Sequence, residues 1–421
     1  MKKIIGIFIL MLYFSNPIKA EEISISLDDA IAMGLRDNRE ILLGIEDIKK
    51  AKHKIVEAKG GFLPNLNVSG SWAHTNEYYD KDFGSGGAQV TIKQYLYKGG
   101  KTVNTLKQSE YSLEVSKAIL DKTKLETILE IESAFCTLLL ATDFADLNKS
   151  IADNTREHLD FIKMKFENGE ASESDVLKIN ESLSRVEQVY IESLSQVEAS
   201  EAILKNLLYL DEMTKIKAEG RLVYEPSTIA YEEAFLKAME KRPEIKQYEM
   251  QEKVDKRSVE IAKADGRPVV YAAWDYYYKS HAALGTAKNS NDYNIIGVTF
   301  SWPIFDGWIT KAKVEQAIID LKETKLMKEK TIKDIALDLK STYLDFKNAI
   351  SKLNAVQADV DLYRDTLSVT EAKYKSGIAS SLDMSDASLA YKVSLFNQQQ
   401  ALYDYVIAKA KFDKAMGGNK L

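Results

Sequence analysis

Two long stretches of the chain lack proline and carry an apolar residue at every third or fourth position. None of the six prolines falls between residues 65 and 225 or after residue 303. This spacing predicts helices with one apolar face, of the kind that pack as coiled coils. A single helix over residues 101–168 is roughly 100 Å long, which is too long for a compact globular domain. The positions that carry the pattern are Leu125, Ile128, Ile131, Phe135 and Leu138; Val176, Ile179, Leu183, Val186, Tyr190, Leu194 and Val197; and Leu382, Leu389, Val393, Phe396, Tyr403 and Ile407.

Apolar and polar residues alternate in two pairs of shorter segments, at about 65–97 and about 269–305. A period of two predicts antiparallel strand hairpins with one apolar face. Strands of about ten residues, as expected here, are long enough to cross a bilayer when tilted. All four tryptophans lie in or beside these segments, as in the aromatic girdles of outer-membrane barrels. Two half-buried hairpins of a soluble protein are the alternative.

The alternation also predicts which side chains share a face of the sheet. Val90, Val298 and Phe300 are expected to face lipid, whereas Thr91 and Thr299 are expected to face a lumen. The glycine-rich run at 84–87 is predicted to be a flexible loop at the tip of the first hairpin.

The chain contains an internal repeat. Residues 26–41 reappear as residues 230–245 with an offset of 204, and residues 96–99 match residues 304–307 with an offset of 208. One difference of four residues in length between these points explains the change in offset. We therefore expect two similar halves of one object, residues 21–225 and 226–421, each with its own strand hairpin.

Composition and the first residues restrict the class of protein. Lys2 and Lys3, the apolar run 4–14 and Ala20 predict a secretory signal peptide over residues 1–20. Its removal takes away three lysines and no acidic residue, so the net charge changes from −6 to −9. An acidic chain lacks the basic face that nucleic acids require. No later run approaches 18 apolar residues, so we expect any membrane crossing to be made by strands.

No pattern of residues predicts catalysis, a metal site or a cofactor. The four histidines are scattered without partners at metal-ligand spacing, and no glycine-rich phosphate loop is present. Cys136, the only cysteine, lies between Phe135 and Leu138 and is expected to be a buried small apolar residue. We therefore expect a protein that is not an enzyme.

Four strands in one chain are too few to close a barrel. Open sheet edges are not tolerated in lipid, because their backbone groups find no hydrogen-bond partner there. If the strands lie in a membrane, several chains must share one barrel.

Short motifs occur in a fixed order along the chain. Residues 38–41 (NREI) and 242–245 (RPEI) begin predicted helices in the two repeats. Residues 62–66 (FLPNL) lie where a helix gives way to a strand, and residues 302–307 (WPIFDG) lie where a strand gives way to a helix. Residues 374–377 (YKSG), followed by Leu382 and Asp383, lie at a turn of the second half. Together these motifs resemble those of the TolC family of outer-membrane efflux proteins, and the resemblance covers the chain from residue 21 onward.

The resemblance implies an α+β membrane protein. It implies a long antiparallel α-helical coiled-coil barrel and a transmembrane β-barrel shared by a trimer, with four strands from each chain. Such a homotrimer is an exit channel in the cell outer membrane, with its helical part in the periplasm, that serves a tripartite efflux or type I secretion system. The implied partners are outer-membrane lipid, a periplasmic adaptor (membrane fusion) protein and an inner-membrane pump of the RND, ABC or MFS type. A periplasmic coiled-coil scaffold that forms no channel is the alternative.

The resemblance also implies roles for residues at the two helical turns, which contain Gly169 and Gly377 and where an adaptor is expected to dock. Asp383 and Asp386 match aspartates that line the periplasmic aperture of the family, and their spacing puts both on one helix face. An ordinary solvated helix face is the alternative for this pair. Further aperture positions are Tyr374, which matches an aromatic latch residue, and Asp175, the first-half equivalent of Asp383. In some relatives that aspartate bonds a basic residue where this chain has Ala379, so we expect this latch to be absent.

Overall fold

The computed structural model describes residues 22–78, 81–220, 229–283 and 289–418, together with residues 222, 224 and 226. The predicted signal peptide lies outside the described residues. The elements of the first repeat are β1 (Glu22–Ile25), α1 (Leu27–Asp37), α2 (Arg39–Gly60), β2 (Asn65–Tyr78), β3 (Lys81–Lys98), α3 (Lys101–Glu167), α4 (Glu173–Leu208) and β4 (Lys215–Ala218). Those of the second repeat are α5 (Tyr231–Lys241), α6 (Pro243–Ala264), β5 (Val269–Ala283), β6 (Asn289–Ser301), α7 (Ile309–Lys375) and α8 (Ser381–Ala415).

Helices α3 and α7 are each 67 residues long and unbroken. The prediction of one helix over residues 101–168 is therefore confirmed to within one residue. Neither helix contains proline, so every backbone N–H after the first turn can donate to the carbonyl four residues earlier. In the described part of the chain, no helix combines the length and the apolar character that a membrane-spanning helix requires.

Strands β2, β3, β5 and β6 form one antiparallel sheet in that order. The two hairpins come from the two repeats, and the β3–β5 pairing joins them, for example with Thr91 opposite Asp275. The strands are 14, 18, 15 and 13 residues long, so the expected length of about ten was wrong. The alternation marks only the part of a strand with one apolar face, and pairing continues beyond it.

The glycine-rich run at 84–87 was predicted to be a loop, and this prediction was wrong. These residues lie within β3, paired on one side with residues 71–74 of β2 and on the other with residues 279–282 of β5. Glycine tolerates extended backbone as well as turns, so a run of glycines does not by itself end a strand.

The two faces of the sheet differ as the alternation predicted. Residues directly opposite each other on paired strands share a face. Leu66, Ile92, Trp274 and Ile296 are successive partners across all four strands and form one row of the apolar face. Val90 lies two residues from Ile92, and Val298 and Phe300 lie two and four residues from Ile296, so these three residues lie on the apolar face. Thr91 and Thr299 lie an odd number of residues from the same members of the row, so they lie on the opposite, polar face. The division of side chains between two faces is confirmed, and the apolar face is exposed, with Ile296 at 79%.

The described chain divides into two compact units, each built from both repeats. The first unit comprises residues up to 34, 130–224 and 352–407. Its core is a cluster in which β1 and β4 pair in parallel against α1, α3 and α4. A side chain at Gly34 would displace the side chain of Ile131, because a Cβ there would lie 2.0 Å from its Cδ1. Cys136 is 1% exposed, and burial raises its pKa to about 12, so it is a buried small side chain as predicted. The cluster consists of Ile25, Ala30, Ile131, Ala134, Phe135, Leu138, Leu204, Leu208 and Ile216.

The second unit comprises the four-stranded sheet with residues 35–129, 229–351 and 408–418. In this unit, the start of α6 is held by the side chain of Arg242, which is 8% exposed. The guanidinium donates to the carbonyl of Lys414 at 3.3 Å and to the carboxylate of Asp338 at 3.1 Å. Pro243 occupies the first turn of α6, where no N–H is needed. The RPEI motif thus ties the beginning of α6 to α7 and to the end of α8.

Candidate functional site

The long helix of each repeat ends in the same type of turn. Gly169 and Gly377 have φ values of 77° and 74°, in the left-handed region that glycine adopts without strain. The N–H of Gly169 donates to Phe166 and that of Glu170 to Lys165, at 3.0 and 2.8 Å. This pair of bonds is a Schellman motif, which satisfies carbonyls at the helix end. The second turn repeats it, with Gly377 donating to Tyr374 at 3.0 Å and Ile378 to Lys373 at 2.9 Å.

The helix that follows each turn begins with a reciprocal pair of hydrogen bonds between a serine and an aspartate. In the first turn the N–H of Asp175 donates to Oγ of Ser172 at 3.3 Å, and the N–H of Ser172 donates to Oδ2 of Asp175 at 3.1 Å. In the second turn Asp383 and Ser380 make the same bonds, at 3.1 and 2.8 Å. In both turns the serine hydroxyl also donates to the aspartate at 2.7 Å. These are capping boxes, which satisfy donors at a helix start.

The same hydrogen bonds lower the pKa of both aspartates. The side-chain bond from Ser172 is the main cause at Asp175, and the backbone bond from Ser380 is the main cause at Asp383. Hydrogen bonds to the charged form of a carboxylate favour that form. Both carboxylates are therefore ionised at neutral pH and exposed at the tips of the helices.

The remaining predicted residues of the second turn are also exposed. Asp386 lies three residues after Asp383, on the same face of α8, and is exposed. Tyr374 lies in the last turn of α7 with 48% of its surface exposed. Ala379 lies in the turn itself, where its N–H donates to Lys373. Among the predicted residues, the structure places Asp175 in contact with Ser172 in the first turn and Asp383 in contact with Ser380 in the second turn.

The two serines were missed by the sequence analysis. Ser172 and Ser380 each precede an aspartate by three residues, which is the spacing of a capping box at a helix start. This signal was available in the sequence. It shows that Asp175 and Asp383 have a structural role in addition to any role in a channel.

In each helical hairpin, an arginine of the long helix lies close to the helix that follows the turn. Arg156 of α3 pairs with Glu187 of α4 at 2.6 Å and with Asp153 at 3.2 Å. In the second hairpin Arg364 of α7 pairs with Asp361 of the same helix at 2.9 Å and lies beside Tyr391 of α8. The two arginines are related by the repeat offset of 208. Periodicity alone does not reveal these contacts, because they join residues that are distant in sequence.

The polar face of the sheet carries a hydrogen-bonded cluster between the two repeats. Thr91 donates to Asp275 across the β3–β5 pairing at 2.5 Å. The amide nitrogen of Gln89 lies 3.1 Å from the carboxylate of Asp275 and 3.1 Å from the hydroxyl of Tyr277. Nearby, the ammonium of Lys93 lies 3.7 Å from the ring centre of Tyr271. One sheet thus has a polar, hydrogen-bonded face and an exposed apolar face.

This combination of duplicated long hairpins and a two-faced sheet is matched by a known family. The sequence profile of the outer membrane efflux protein family matches residues 33–208 and 236–418, one segment in each repeat. The chain belongs to the outer membrane efflux protein family. The resemblance drawn from the sequence motifs is thereby confirmed.

Individual relatives agree with this assignment. The chain is 22% identical to the outer membrane protein TolC of Escherichia coli, over 90% of this chain and 80% of the relative. It is also 22% identical to the alkaline protease secretion protein AprF of Pseudomonas aeruginosa, over 91% of this chain and 84% of the relative. The structure of the Campylobacter jejuni CmeC outer membrane channel superposes with a TM-score of 0.75 at 17% identity, over 93% of this chain and 85% of that one.

These comparisons confirm the predicted fold class, an α+β membrane protein with a helical barrel, a β domain and an internal repeat. The protein is an outer-membrane channel for efflux or secretion, and its helical part lies in the periplasm. Its family consists of channels rather than enzymes. The alternative of a scaffold without a channel is not supported by this membership.

Proposed function

We propose that three copies of this chain form one exit duct that spans the outer membrane and reaches into the periplasm. The observation that carries the proposal is the four-stranded sheet, whose outer strands β2 and β6 each have one edge without a partner strand among the described residues. An exposed apolar face suits lipid, but an open edge in lipid leaves backbone groups without hydrogen bonds. Closure between copies removes both edges, and the family resemblance supplies the number three.

Light scattering of the protein extracted from outer membranes in mild detergent tests the assembly. The expected mass of the protein component is three times that of one chain. A monomer in mild detergent would contradict the proposal.

A pair of variants tests which face of the sheet meets lipid. Val298→Arg places a charge on the apolar face and is expected to cost about 2–4 kcal/mol if it lies near mid-bilayer. Thr299→Arg is its matched control, because the neighbouring residue points to the polar face and the charge stays in water. We expect Val298→Arg to reduce the amount of assembled protein in the outer membrane far more than Thr299→Arg. Equal losses would mean that the two faces are assigned wrongly.

We also propose that the two helical turns form the periplasmic end of the duct. The adaptor docks around Gly169 and Gly377, and an inner-membrane pump of the RND, ABC or MFS type supplies the energy. The exposure of both turns and the secretion role in the name of the relative AprF support this arrangement.

Asp383 and Asp386 are proposed to line the aperture as two rings of three carboxylates, with Tyr374 and Asp175 close by. Crowded carboxylates favour cations. We expect Asp383→Asn combined with Asp386→Asn to lower cation selectivity, measured as the reversal potential across a planar bilayer under a salt gradient.

The capping box provides a control for this experiment. Ser380→Ala removes the two bonds that the serine hydroxyl makes with Asp383 but leaves both carboxylates in place. It is expected to keep the selectivity of the wild type. If the double asparagine variant also kept that selectivity, the aspartates would be an ordinary solvated helix face.

A further inference from the structure

The pairing of two strands within the chain indicates how strands from two different copies pair. Strands β3 and β5 belong to different repeats and pair along most of their length. We propose that β6 of one copy pairs with β2 of the next copy, in the register obtained by applying the repeat offsets to the pairing of β3 with β5. In this register Thr299 lies opposite Ser71. This inference rests on the proposed shared barrel and specifies how its seam is built.

The register follows from the two repeat offsets. Strand β2 maps onto β5 with an offset of 204 and β3 maps onto β6 with an offset of 208. The hairpins agree with the sum of the two offsets, because Asn65 pairs with Lys93 and Val269 pairs with Ser301. Each offset is fixed separately by a flanking residue, 204 by Pro64 and Pro268 and 208 by Gly99 and Gly307. The same offsets can be applied to the pairing of Thr91 with Asp275. Residue 91 plus 208 is residue 299, and residue 275 minus 204 is residue 71.

Strand direction and side-chain facing agree with this register. Neighbouring strands are antiparallel in the order β2-β3-β5-β6, so a β2 strand placed next to β6 continues the alternation. Thr299 and Ser71 both lie on the polar face, and their neighbours Val298 and Trp72 both lie on the apolar face. A slip of one residue would place polar side chains opposite apolar ones. A slip of two residues would preserve the faces, so it must be excluded by another contact.

The junction between strands and helices supplies that contact. At the end of β3, a Cβ on Gly99 would lie 2.6 Å from the carbonyl oxygen of Ala264, so the two backbones are in direct contact. Arg267 closes this junction by donating to the carbonyl of Gly99 at 3.0 Å. The offsets map these three residues onto Gly307, Gly60 and Leu63. The contact within one chain therefore predicts a contact of Gly307 with the Gly60–Leu63 segment of the next copy.

The second junction has the same backbone but is open in the single chain. Gly99 and Gly100 have φ values of 62° and 84°, and the equivalent Gly307 and Trp308 have values of 67° and 68°. Trp308 thus keeps a left-handed conformation that is unfavourable for a tryptophan. A Cβ on Gly307 or on Gly60 would meet no atom of the described residues within 4 Å. Within the described part of one chain, this turn therefore lacks the backbone contact that Gly99 makes.

The side chains around the open junction are apolar. Ile304 is 89% exposed, Phe305 is 73% exposed and Leu63 is 66% exposed. These residues belong to the two segments that the repeat brings together, and Leu63 occupies the position of Arg267. We infer that an apolar contact between copies takes the place of the arginine clamp. This contact holds the register against a slip of two residues.

Disulfide cross-linking between copies tests the register. Cys136→Ala removes the only natural cysteine. In that background, Thr299→Cys with Ser71→Cys is expected to form covalently linked copies on oxidation, seen in a denaturing gel without reductant. Directly opposite residues have Cα atoms about 4.5–5.5 Å apart, which a disulfide can bridge. The matched controls are Thr299→Cys with Ser69→Cys and Thr299→Cys with Ala73→Cys, which would link only if the strands slipped by two residues.

The outcomes separate the register from the shared barrel. Efficient linking of the 71/299 pair with weak linking of both controls supports the inference. Preferential linking of a control pair, or a trimer by light scattering in which the 71/299 pair does not link, overturns the register but leaves the trimer. A monomer by light scattering with no linking in any pair overturns the shared barrel itself.

A second measurement tests the junction. Leu63→Arg restores between copies the arginine that Arg267 provides within the chain, with the carbonyl of Gly307 as its expected acceptor. We expect the temperature at which the trimer dissociates to shift upward relative to the Leu63→Gln control. An unchanged or lower temperature would overturn the junction contact.

Discussion

The helical hairpins α3–α4 and α7–α8 are copies of one another that agree at their tips and differ along their length. At the tips, the Schellman turn and the serine–aspartate capping box recur at an offset of 208 with nearly the same distances. Along the length, Arg156 forms an ion pair with Glu187 of the next helix, whereas Arg364 forms one with Asp361 of its own helix and lies beside Tyr391 of the next helix. The position equivalent to Glu187 is Leu395. The repeat therefore preserves the local turn chemistry but not the ion pair between helices.

The largest expected effect concerns the glycines that the hairpins share. Gly169→Ala and Gly377→Ala each force an alanine into the left-handed region, which costs roughly 1–2 kcal/mol. Because the two turns have the same geometry, we expect both variants to lower the free energy of unfolding in urea by similar amounts. Gly→Asn at either position is the control, since asparagine tolerates this conformation better. A clear difference between the two alanine variants in the free energy of unfolding would show that the two turns are not equivalent.

The next effect concerns the capping boxes. Ser172→Ala and Ser380→Ala each remove an N-cap acceptor, which costs about 0.5–2 kcal/mol. We expect the two variants to lose similar stability in urea unfolding. Ser184→Ala is the control, because that serine lies inside α4 and donates only to the carbonyl four residues earlier. If this control lost as much stability as the caps, the capping boxes would not be the cause.

The smallest effect is expected where the hairpins differ. Arg156→Gln removes two exposed ion pairs, one with Asp153 in its own helix and one with Glu187 in the next helix. Arg364→Gln removes only an ion pair within its own helix, with Asp361. Salt screens interactions between exposed charges, so the loss caused by Arg156→Gln should shrink as salt concentration rises. The loss caused by Arg364→Gln should depend less on salt. Urea unfolding at low and high salt compares them, and the same salt dependence in both would mean that the partner on the second helix does not matter.

The sequence was most informative where the chemistry is local. Long tracts without proline predicted α3 to within one residue, and the repeat offset located both turns. The capping boxes were also visible, as a serine three residues before Asp175 and Asp383, although the analysis did not use that signal. Each of these features depends on residues within one or two helical turns of each other, so a single stretch of sequence contains all the participants.

Strand boundaries were predicted less well for a related reason. Alternation indicated the four strands and the division of side chains between two faces. It did not show that β3 extends through the glycine-rich run at 84–87, since pairing depends on the strands on either side of it. Only the register with β2 and β5 shows that these glycines are in the sheet.

The sequence by itself determined the helices, the turns that end them, the alternating faces of the strands and the twofold repeat. Local backbone preferences and side-chain periodicity are sufficient for these features. The tertiary structure decided which partners distant residues meet: Arg156 with Glu187, Arg364 with Tyr391, Thr91 with Asp275, and Arg267 with Gly99. Such contacts depend on the alignment of two elements far apart in the chain, and a shift of one residue between them would change every partner.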